Sequence, residues 1–449
     1  MSTPRGQFSS RFGFIMAAAG SAVGLGNVWG FPTQTASNGG AAFVLVYFVL
    51  AFLLAYPALM AELIIGRHAR ANVVTALGSL SSNPITSFIG KGVGYYGVIL
   101  AGLILSFYTI VAGWMLSHLG HGIANVAGMT TVSQWLITSS ITRDLMGSVI
   151  FAGLTMSIIA SGIEGGIEKW SSRLMPILMV LLVLLIAYVF TQPGAMTGLK
   201  VYLLPDLSQV LKPSLLISAL GQAFFSLSLG VGTMLIYGSY VDKNENLPKL
   251  GAIVTCVDLA IAFTAGLLII PAMYVAQHSG TVIFNEAGEL ITETGLIFQV
   301  LPSLFTAMGN TGLWVAIAFF ALMSIAAVTS SISMLEVPVS TAVEKTRLSR
   351  LAATLIMGSA CLAISVLIIF NFDLLFVFVI DLTTKYSEPL LGIMFCIFAG
   401  WILQRNALLQ ELKQGNAAIE SSLFWKIWPW YVRVVCPLLI VATFAQSLS

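Results

Sequence analysis

The chain has 449 residues, of which 58% are hydrophobic and only 8% are charged, and its mean hydropathy is +0.95. Soluble proteins carry charge on roughly a quarter of their residues, so this composition excludes a water-soluble globular protein and indicates a polytopic membrane protein. The formal net charge of +2 gives no indication of nucleic-acid binding.

The first apolar run contains a glycine-rich stretch, Ala17-Ala18-Ala19-Gly20-Ser21-Ala22-Val23-Gly24-Leu25-Gly26-Asn27-Val28-Trp29-Gly30. Each glycine in a helix interior costs about 1 kcal/mol relative to alanine, so the stretch predicts a broken helix at mid-membrane depth. Unpaired backbone groups in hydrocarbon cost several kcal/mol. We therefore expect the freed groups to face a polar cavity and hold a ligand, as in many secondary transporters.

Apolar runs that can cross a bilayer need about 20 residues. Eleven candidates lie near 11–36, 41–66, 92–119, 146–162, 174–192, 214–240, 250–276, 312–342, 350–371, 373–403 and 427–446. With the N-terminus inside, 16 of the 20 lysines and arginines fall on the cytoplasmic side. This asymmetry follows the positive-inside pattern and predicts a cytoplasmic N-terminus and an outside C-terminus.

The sixth run carries a second interruption, at Phe224-Phe225-Ser226-Leu227-Ser228-Leu229-Gly230-Val231-Gly232. Matching interruptions five spans apart are typical of inverted-repeat transporters. The N–H groups of a half-helix N-terminus suit a carboxylate, and the carbonyls of a C-terminus suit sodium or an ammonium group. The backbone of 24–26 is thus predicted to bind the carboxylate, and the carbonyls around Phe225 and Ser228 the amine, of a zwitterionic amino acid.

Several polar side chains lie inside other runs. Asp258 has no basic residue in its own run, and either a bound cation or a proton would compensate its charge. Tyr108 needs a hydrogen-bond partner, which could be a substrate carboxylate or another helix. Glu62 and Glu336 are expected to be structural acids.

A hydroxyl cluster, Thr329-Ser330-Ser331 with Ser333, lies in the eighth run. Its oxygens could bind a hard cation, or they could bond the backbone and join helices. The segment at about 277–312 is expected to fold over the outer face, as a lid or as an ordinary packed loop.

These residues resemble the neurotransmitter:sodium symporter family, in particular its bacterial amino-acid transporters. The resemblance covers essentially the whole chain and is carried by Gly20-Ser-Ala-Val-Gly-Leu-Gly-Asn27 with Phe31-Pro32, Ser37-Asn-Gly-Gly-Ala-Ala-Phe43, Glu62 with Gly66-Arg67, Tyr108 with Trp114, Gly221-Gln-Ala-Phe-Phe-Ser-Leu-Ser-Leu-Gly230, Tyr237-Gly-Ser-Tyr240 and Thr329-Ser330-Ser331.

The likeness implies an all-α, leucine-transporter-type fold that works by alternating access. Residues 1–449 would form a single membrane transport domain of eleven transmembrane helices. Its two inverted repeats would be spans 1–5, at about 11–192, and spans 6–10, at about 214–403. An extra span would lie at about 427–446.

The likeness also implies the binding residues. The substrate pocket would comprise Ser21, Ala22, Leu25, Gly26, Ile104, Tyr108, Phe225, Ser226, Ser228, Val231 and Ser330. A first sodium ion would be bound by the Ala22 carbonyl, Asn27, Ser226 and Asp258. A second would be bound by the carbonyls of Gly20, Val23 and Ala326 and the hydroxyls of Thr329 and Ser330. The gates would comprise Tyr108, Phe225 and Asp381 on the outside and Arg5, Tyr240 and Glu344 on the inside.

Three positions differ among members of this family. Gly24 stands where monoamine carriers have aspartate, so the substrate must bring its own carboxylate, and apolar pocket side chains favour a hydrophobic amino acid. Gly30 stands where most members have the arginine that pairs with an acid like Asp381, so the outer gate must use Lys385 or no ion pair. Asp258 stands where many relatives have asparagine, and its charge predicts chloride independence.

The sequence therefore predicts a sodium-coupled symporter of the bacterial inner membrane that imports a small, hydrophobic amino acid with two sodium ions. One alternative is a proton-coupled amino-acid carrier in which Asp258 titrates. Another is a sensor that binds an amino acid without transporting it. An enzyme is not expected, because the sequence shows no nucleophile–base pair or metal-binding cluster.

Overall fold

The computed structural model describes residues 6–283, 290 and 296–447, and nearly all of this part of the chain is helical. In it, eight helices are long and apolar enough to cross a membrane alone, and two bent pairs raise the number to ten. The interrupted sixth run would be an eleventh. In chain order, spans 1 to 11 are Arg11–Ala22 with Gly26–Ser37, Ala41–Ala69, Pro84–Val126, Ile141–Ala160, Ile163–Val189, Pro213–Ser226 with Thr233–Ser239, Leu247–His278, Gly309–Thr346, Arg350–Phe370, Phe372–Ile402 and Leu423–Ser447.

Short helices connect several of the spans. They are Val73–Ser79, Thr130–Ile137, Ala195–Leu203, Leu296–Val300, Leu301–Ala307, Arg405–Gly415 and Ile419–Ser421. The acidic part of the segment at about 277–312 that is expected to fold over the outer face, with Glu286, Glu289 and Glu293, lies outside the described residues.

Several helices extend beyond the apolar runs that predicted them. Span 3 begins at Pro84 because Asn83 caps it, accepting hydrogen bonds from the N–H groups of Ile85 and Thr86. Span 5 includes Glu168, whose carboxylate accepts hydrogen bonds from the hydroxyls of Ser9 and Ser10 at 2.8 Å. Hydropathy detects only the part of a helix that crosses the bilayer, whereas caps and polar partners decide where it ends.

Span 1 breaks where glycine predicts it. The two half-helices, Arg11–Ala22 and Gly26–Ser37, meet at a 55° bend. Val23 between them is extended, with ψ 92°, and its N–H donates to the Ala19 carbonyl at 2.6 Å. A Cβ atom at Gly24 would collide with Ser330 Oγ of span 8. Glycine therefore both weakens the helix here and allows the close approach of a neighbouring one.

Span 6 breaks between Ser226 and Thr233. Ser228, Gly230 and Gly232 have φ angles of 51°, 75° and 85°, the left-handed region that favours glycine. The freed Gly230 N–H donates to Glu62 Oε1 of span 2 at 2.8 Å. Glu62 is thus a structural acid that satisfies the unwound backbone in place of water.

One end of the bundle, which we call the basic face, carries Arg11, Arg67, Arg350 and Arg405. Arg67 is fully buried at the end of span 2, and its Nε lies 2.6 Å from Glu411 Oε1 of the helix Arg405–Gly415. Burial raises the pKa of Glu411, but the His68 hydrogen bond and the charge of Arg67 outweigh it and hold that pKa below its usual value. This ion pair attaches the short helix to the membrane bundle.

Candidate functional site

The breaks of spans 1 and 6 face each other in the interior of the bundle. Ser228 Oγ donates to the Ser21 carbonyl at 3.1 Å, and Gln222 Nε2 donates to the Gly26 carbonyl at 3.0 Å. Ser21 lies at the C-terminal end of its half-helix, where carbonyls lack partners in their own helix, whereas the Gly26 carbonyl also accepts from the Phe31 N–H. The two interruptions therefore form one polar region rather than two separate defects.

Three of the residues assigned to the first sodium ion lie together beside this region. Asn27 Nδ2 donates to Asp258 Oδ1 at 2.7 Å, and Ser226 Oγ donates to Asp258 Oδ2 at 2.9 Å. Tyr47 of span 2 extends the group, since its hydroxyl donates to Ser226 Oγ at 2.9 Å. Ala22 is buried at the end of the first half-helix. All five residues are at most 3% exposed.

The oxygen atoms of this group suit a cation. Asn27 Oδ1 is buried and accepts no hydrogen bond from any described residue, which is uncommon for a buried amide oxygen. The Asp258 carboxylate has no ion pair within the described part of the chain. A hard cation bound by carboxylate, amide and hydroxyl oxygens would satisfy both groups.

A second cluster of oxygen atoms surrounds Ser330. Its hydroxyl lies 3.3, 3.2 and 3.4 Å from the carbonyls of Gly20, Ser21 and Val23. One hydroxyl proton can serve only one of the three, so the remaining carbonyls have capacity for a cation. Thr329 Oγ1 lies 3.1 Å from the Ala326 carbonyl in the same helix.

The hydroxyl cluster of span 8 has two different roles. Ser330 faces the broken part of span 1. Ser331 instead pairs with Thr155 of span 4 at 2.8 Å, and Ser333 accepts a hydrogen bond from Ser21 at 2.7 Å. The helix-joining interpretation therefore holds for Ser331 and Ser333, whereas cation binding by Ser330 stays a prediction.

Tyr108 and Phe225 both lie against the broken segment of span 1. The Tyr108 hydroxyl is buried and forms no hydrogen bond of acceptable distance and angle with any described residue. It lies 3.1 Å from the position that a Cβ atom would take at Gly24. The Phe225 ring is 3.0 Å from the Cβ position of Gly26 and is 40% exposed. The other apolar positions assigned to the pocket are buried: Leu25, Ile104 and Val231. A phenol beside free backbone N–H groups can bind a carboxylate.

The residues assigned to the inner gate form a network with three residues that the sequence did not associate with it: Glu336, Arg350 and Asn72. Tyr240 OH donates to Glu336 Oε1 at 2.6 Å, and Arg350 NH2 lies 2.6 Å from Glu336 Oε2. Glu344 Oε2 accepts hydrogen bonds from the backbone and side-chain amides of Asn72 at 3.0 and 2.6 Å. Arg5 lies outside the described residues.

On the opposite face, Asp381 pairs with Lys385, one helical turn away, at 2.8 Å. The closest atom to the Cβ position of Gly30 is Gln222 Oε1, at 3.6 Å. An aromatic cluster lies near this position. Phe298 packs edge-on against Trp29 and Trp114, with ring centres 6.1 and 5.6 Å apart.

Comparisons with known proteins agree with this arrangement. A family model described as the sodium:neurotransmitter symporter family matches residues 5–142 and 138–449. An uncharacterized sodium-dependent transporter of Bacillus subtilis is 32% identical over 458 residues, which cover 99% of this chain and 98% of that protein. A second such transporter, from Haemophilus influenzae, is also 32% identical, with coverage of 99% and 98%.

A more distant relative and a solved structure indicate the same family and fold. The human sodium- and chloride-dependent taurine transporter is 27% identical, covering 70% of this chain and 57% of that protein. The crystal structure of MhsT in complex with L-phenylalanine is similar with a TM-score of 0.81 and 34% identity, covering 99% of this chain and 100% of the solved one. The all-α, leucine-transporter-type fold predicted from the sequence is thereby confirmed.

Proposed function

The chain belongs to the sodium:neurotransmitter symporter family, and on that premise we propose that it imports a small, hydrophobic amino acid together with sodium by alternating access. Sodium dependence is stated for its full-length bacterial relatives. The substrate, the direction of transport and the role of each residue are our proposal.

The observation that carries the proposal is the Asn27–Ser226–Asp258 cluster. It places a buried carboxylate beside a buried amide oxygen that accepts no hydrogen bond from any residue the structure describes. An uncompensated buried charge costs several kcal/mol, and sodium bound here would remove that cost. The second ion would lie among the carbonyls around Ser330, with Thr329 and Ala326 completing its ligands.

The substrate would bind across the two breaks. Its carboxylate would accept hydrogen bonds from the backbone at Gly24–Gly26 and from the Tyr108 hydroxyl, which has no other sound partner among the described residues. Its amine would bind carbonyls near Phe225 and Ser228. The apolar side chains of Leu25, Ile104 and Val231 favour a hydrophobic side chain, and MhsT, a structural neighbour, is known in complex with L-phenylalanine.

Asp258 also supports chloride independence. Distant animal relatives are sodium- and chloride-dependent. In this chain a fixed carboxylate already stands within hydrogen-bond distance of Asn27 and Ser226, so no second anion is needed to balance a sodium ion. We place the protein in the bacterial inner membrane, with the N-terminus and the basic face toward the cytoplasm.

Two other functions use the same residues. In a proton-coupled carrier, Asp258 would bind a proton in place of sodium. In a sensor, the amino acid would bind at the breaks without being released on the other side, and the lack of an arginine at Gly30 is the feature that favours this possibility.

Transport into proteoliposomes separates the three functions. We expect accumulation of radiolabelled L-phenylalanine or L-leucine under an inward sodium gradient, because one charge moved across 100 mV contributes about 2.3 kcal/mol. A pH gradient alone should give none. Accumulation under the pH gradient without sodium would support the proton-coupled carrier, whereas sodium-dependent binding without accumulation would support the sensor.

A further inference from the structure

A cleft of about 210 Å³ lies on the basic face, away from the broken helices. It is formed where span 10 ends, the helix Arg405–Gly415 turns away, and span 11 begins. Ten residues line it, among them Gly400, Arg405, Trp425, Lys426, Trp430 and Arg433. Three of the ten are cations and none is an acid.

The three cations are held without carboxylate partners. The Arg405 guanidinium lies 5.4 Å from the ring centre of Trp425, and that of Arg433 lies 4.9 Å from the ring centre of Trp401. Arg433 Nε donates to the Gly400 carbonyl at 2.8 Å, which fixes the side chain and leaves its terminal N–H groups available. None of the three cations forms an ion pair within the described part of the chain, whereas nearby Lys413 pairs with Glu420 at 2.6 Å.

Two exposed tryptophans lie beside the cleft. Trp401, at the end of span 10, and Trp430, in the first half of span 11, are 60% and 61% exposed. Tryptophan with its ring outside the protein is typical of the membrane–water interface. A molecule bound to the cations would therefore have its apolar part beside these rings and in contact with the bilayer.

We propose that this cleft binds the phosphodiester headgroup of an anionic phospholipid. Guanidinium groups match phosphate oxygens in a paired, charge-assisted geometry, and basic pockets between spans are known to bind anionic headgroups. The cleft offers no carboxylate to a choline or ethanolamine amine. It therefore selects lipids with net negative charge over zwitterionic ones.

Native mass spectrometry of the full chain in a neutral detergent tests the proposal. Phosphatidylglycerol and phosphatidylcholine with the same acyl chains are added in equal amounts, and the ratio of their adducts is measured. We expect a clear preference for phosphatidylglycerol, since each cation near an anionic headgroup contributes about fivefold. Equal adducts in the unmodified protein would overturn the proposal.

Variants locate the site. Combined Arg405→Gln, Lys426→Gln and Arg433→Gln should lower the preference by more than about tenfold. Lys426→Gln alone should lower it by about fivefold and disturbs no described side-chain contact, which keeps the test valid if the triple variant does not fold. The matched control, Lys169→Gln with Arg173→Gln and Lys345→Gln, removes the same charge elsewhere on the basic face and should leave the ratio unchanged.

Two results would contradict the assignment. An equal loss in the control and cleft variants would show that the preference reflects overall charge. A fall of the ratio to one on adding excess inorganic phosphate would show that the cleft takes the free ion rather than the lipid. Retention of the preference in phosphate, with its loss in the cleft variants alone, is the result the structure predicts.

Discussion

Asn27 Nδ2 donates to Asp258 Oδ1 at 2.7 Å, although the two residues are 231 positions apart in the chain. The hydrogen bond joins the broken span 1 to span 7 and leaves Asn27 Oδ1 buried, with no donor among the described residues. An amide that donates to a carboxylate with one atom presents its oxygen with the other, so the pair offers oxygens from two helices to one cation.

The charge of Asp258 is the first point to test. Asp258→Asn keeps the size of the side chain but removes the negative charge that would compensate sodium. We expect the sodium concentration for half-maximal amino-acid binding to rise by about tenfold or more, or chloride to become necessary. Sodium titrations of binding, with and without chloride, measure this change.

The control for that variant is Asp206→Asn, which alters an exposed aspartate whose carboxylate is bonded by Ser208 and Gln209. Its sodium response should equal that of the unmodified protein. An unaltered sodium dependence of binding in Asp258→Asn would show that Asp258 has only a structural role.

Substitution of Gly24 tests whether the close approach of spans 1 and 8 is needed for binding. A Cβ atom at this position collides with Ser330 Oγ and lies 3.1 Å from the Tyr108 hydroxyl. Overpacking of this kind costs about 1–3 kcal/mol, so Gly24→Ala should weaken amino-acid binding by about tenfold to a hundredfold. Gly153→Ala is the control, because nothing lies within 4 Å of its Cβ position. Similar affinities for both variants would place the substrate elsewhere.

The buried and the exposed ion pair of the helix Arg405–Gly415 should contribute differently to the free energy of unfolding. Glu411→Gln removes the partner of the fully buried Arg67 and should destabilise the protein by about 3–5 kcal/mol. Glu420→Gln removes only the partner of exposed Lys413, and surface pairs contribute about 0–1 kcal/mol. Thermal unfolding in detergent compares the two, and equal losses would contradict the assigned anchoring role.

Lowering the pH should destabilise the protein in the same way as Glu411→Gln, because both remove the charge of Glu411. The folded-state pKa of Glu411 lies below its unfolded value, so its contribution to stability is present above the unfolded pKa and is lost as pH falls through the folded one. We expect the unfolding temperature of the unmodified protein to fall in that acidic range, and that of Glu411→Gln to fall less. Identical pH profiles would contradict this linkage.

The outer gate is expected to depend on aromatic packing rather than on a salt bridge. Asp381 and Lys385 are 35% and 52% exposed and lie in the same helix, so breaking their pair changes little that connects separate spans. Phe298, in contrast, contacts Trp29 of span 1 and Trp114 of span 3. Phe298→Ala should accelerate dissociation of bound amino acid by about tenfold, whereas Lys385→Ala should not. The reverse order of effects would show that the ion pair forms the gate.

The sequence predicted the features that arise from local chemistry. Glycine placement located both breaks, and the lack of a basic neighbour singled out Asp258. Tyr47 was missed, although its buried phenol needs a partner by the same argument that was applied to Tyr108. Arg350 was missed as the partner of Glu336 because an ion pair between different spans leaves no local pattern. The Asp381–Lys385 pair, in contrast, has helical i, i+4 spacing and was recognisable from sequence.

Sodium and an amino acid are proposed to bind together at the paired breaks of spans 1 and 6. Equilibrium binding of radiolabelled L-phenylalanine and L-leucine to the purified protein, in sodium and in potassium at equal ionic strength, tests it most directly. We expect saturable binding of at least one of the two in sodium and none above background in potassium. Equal binding in both salts would contradict it.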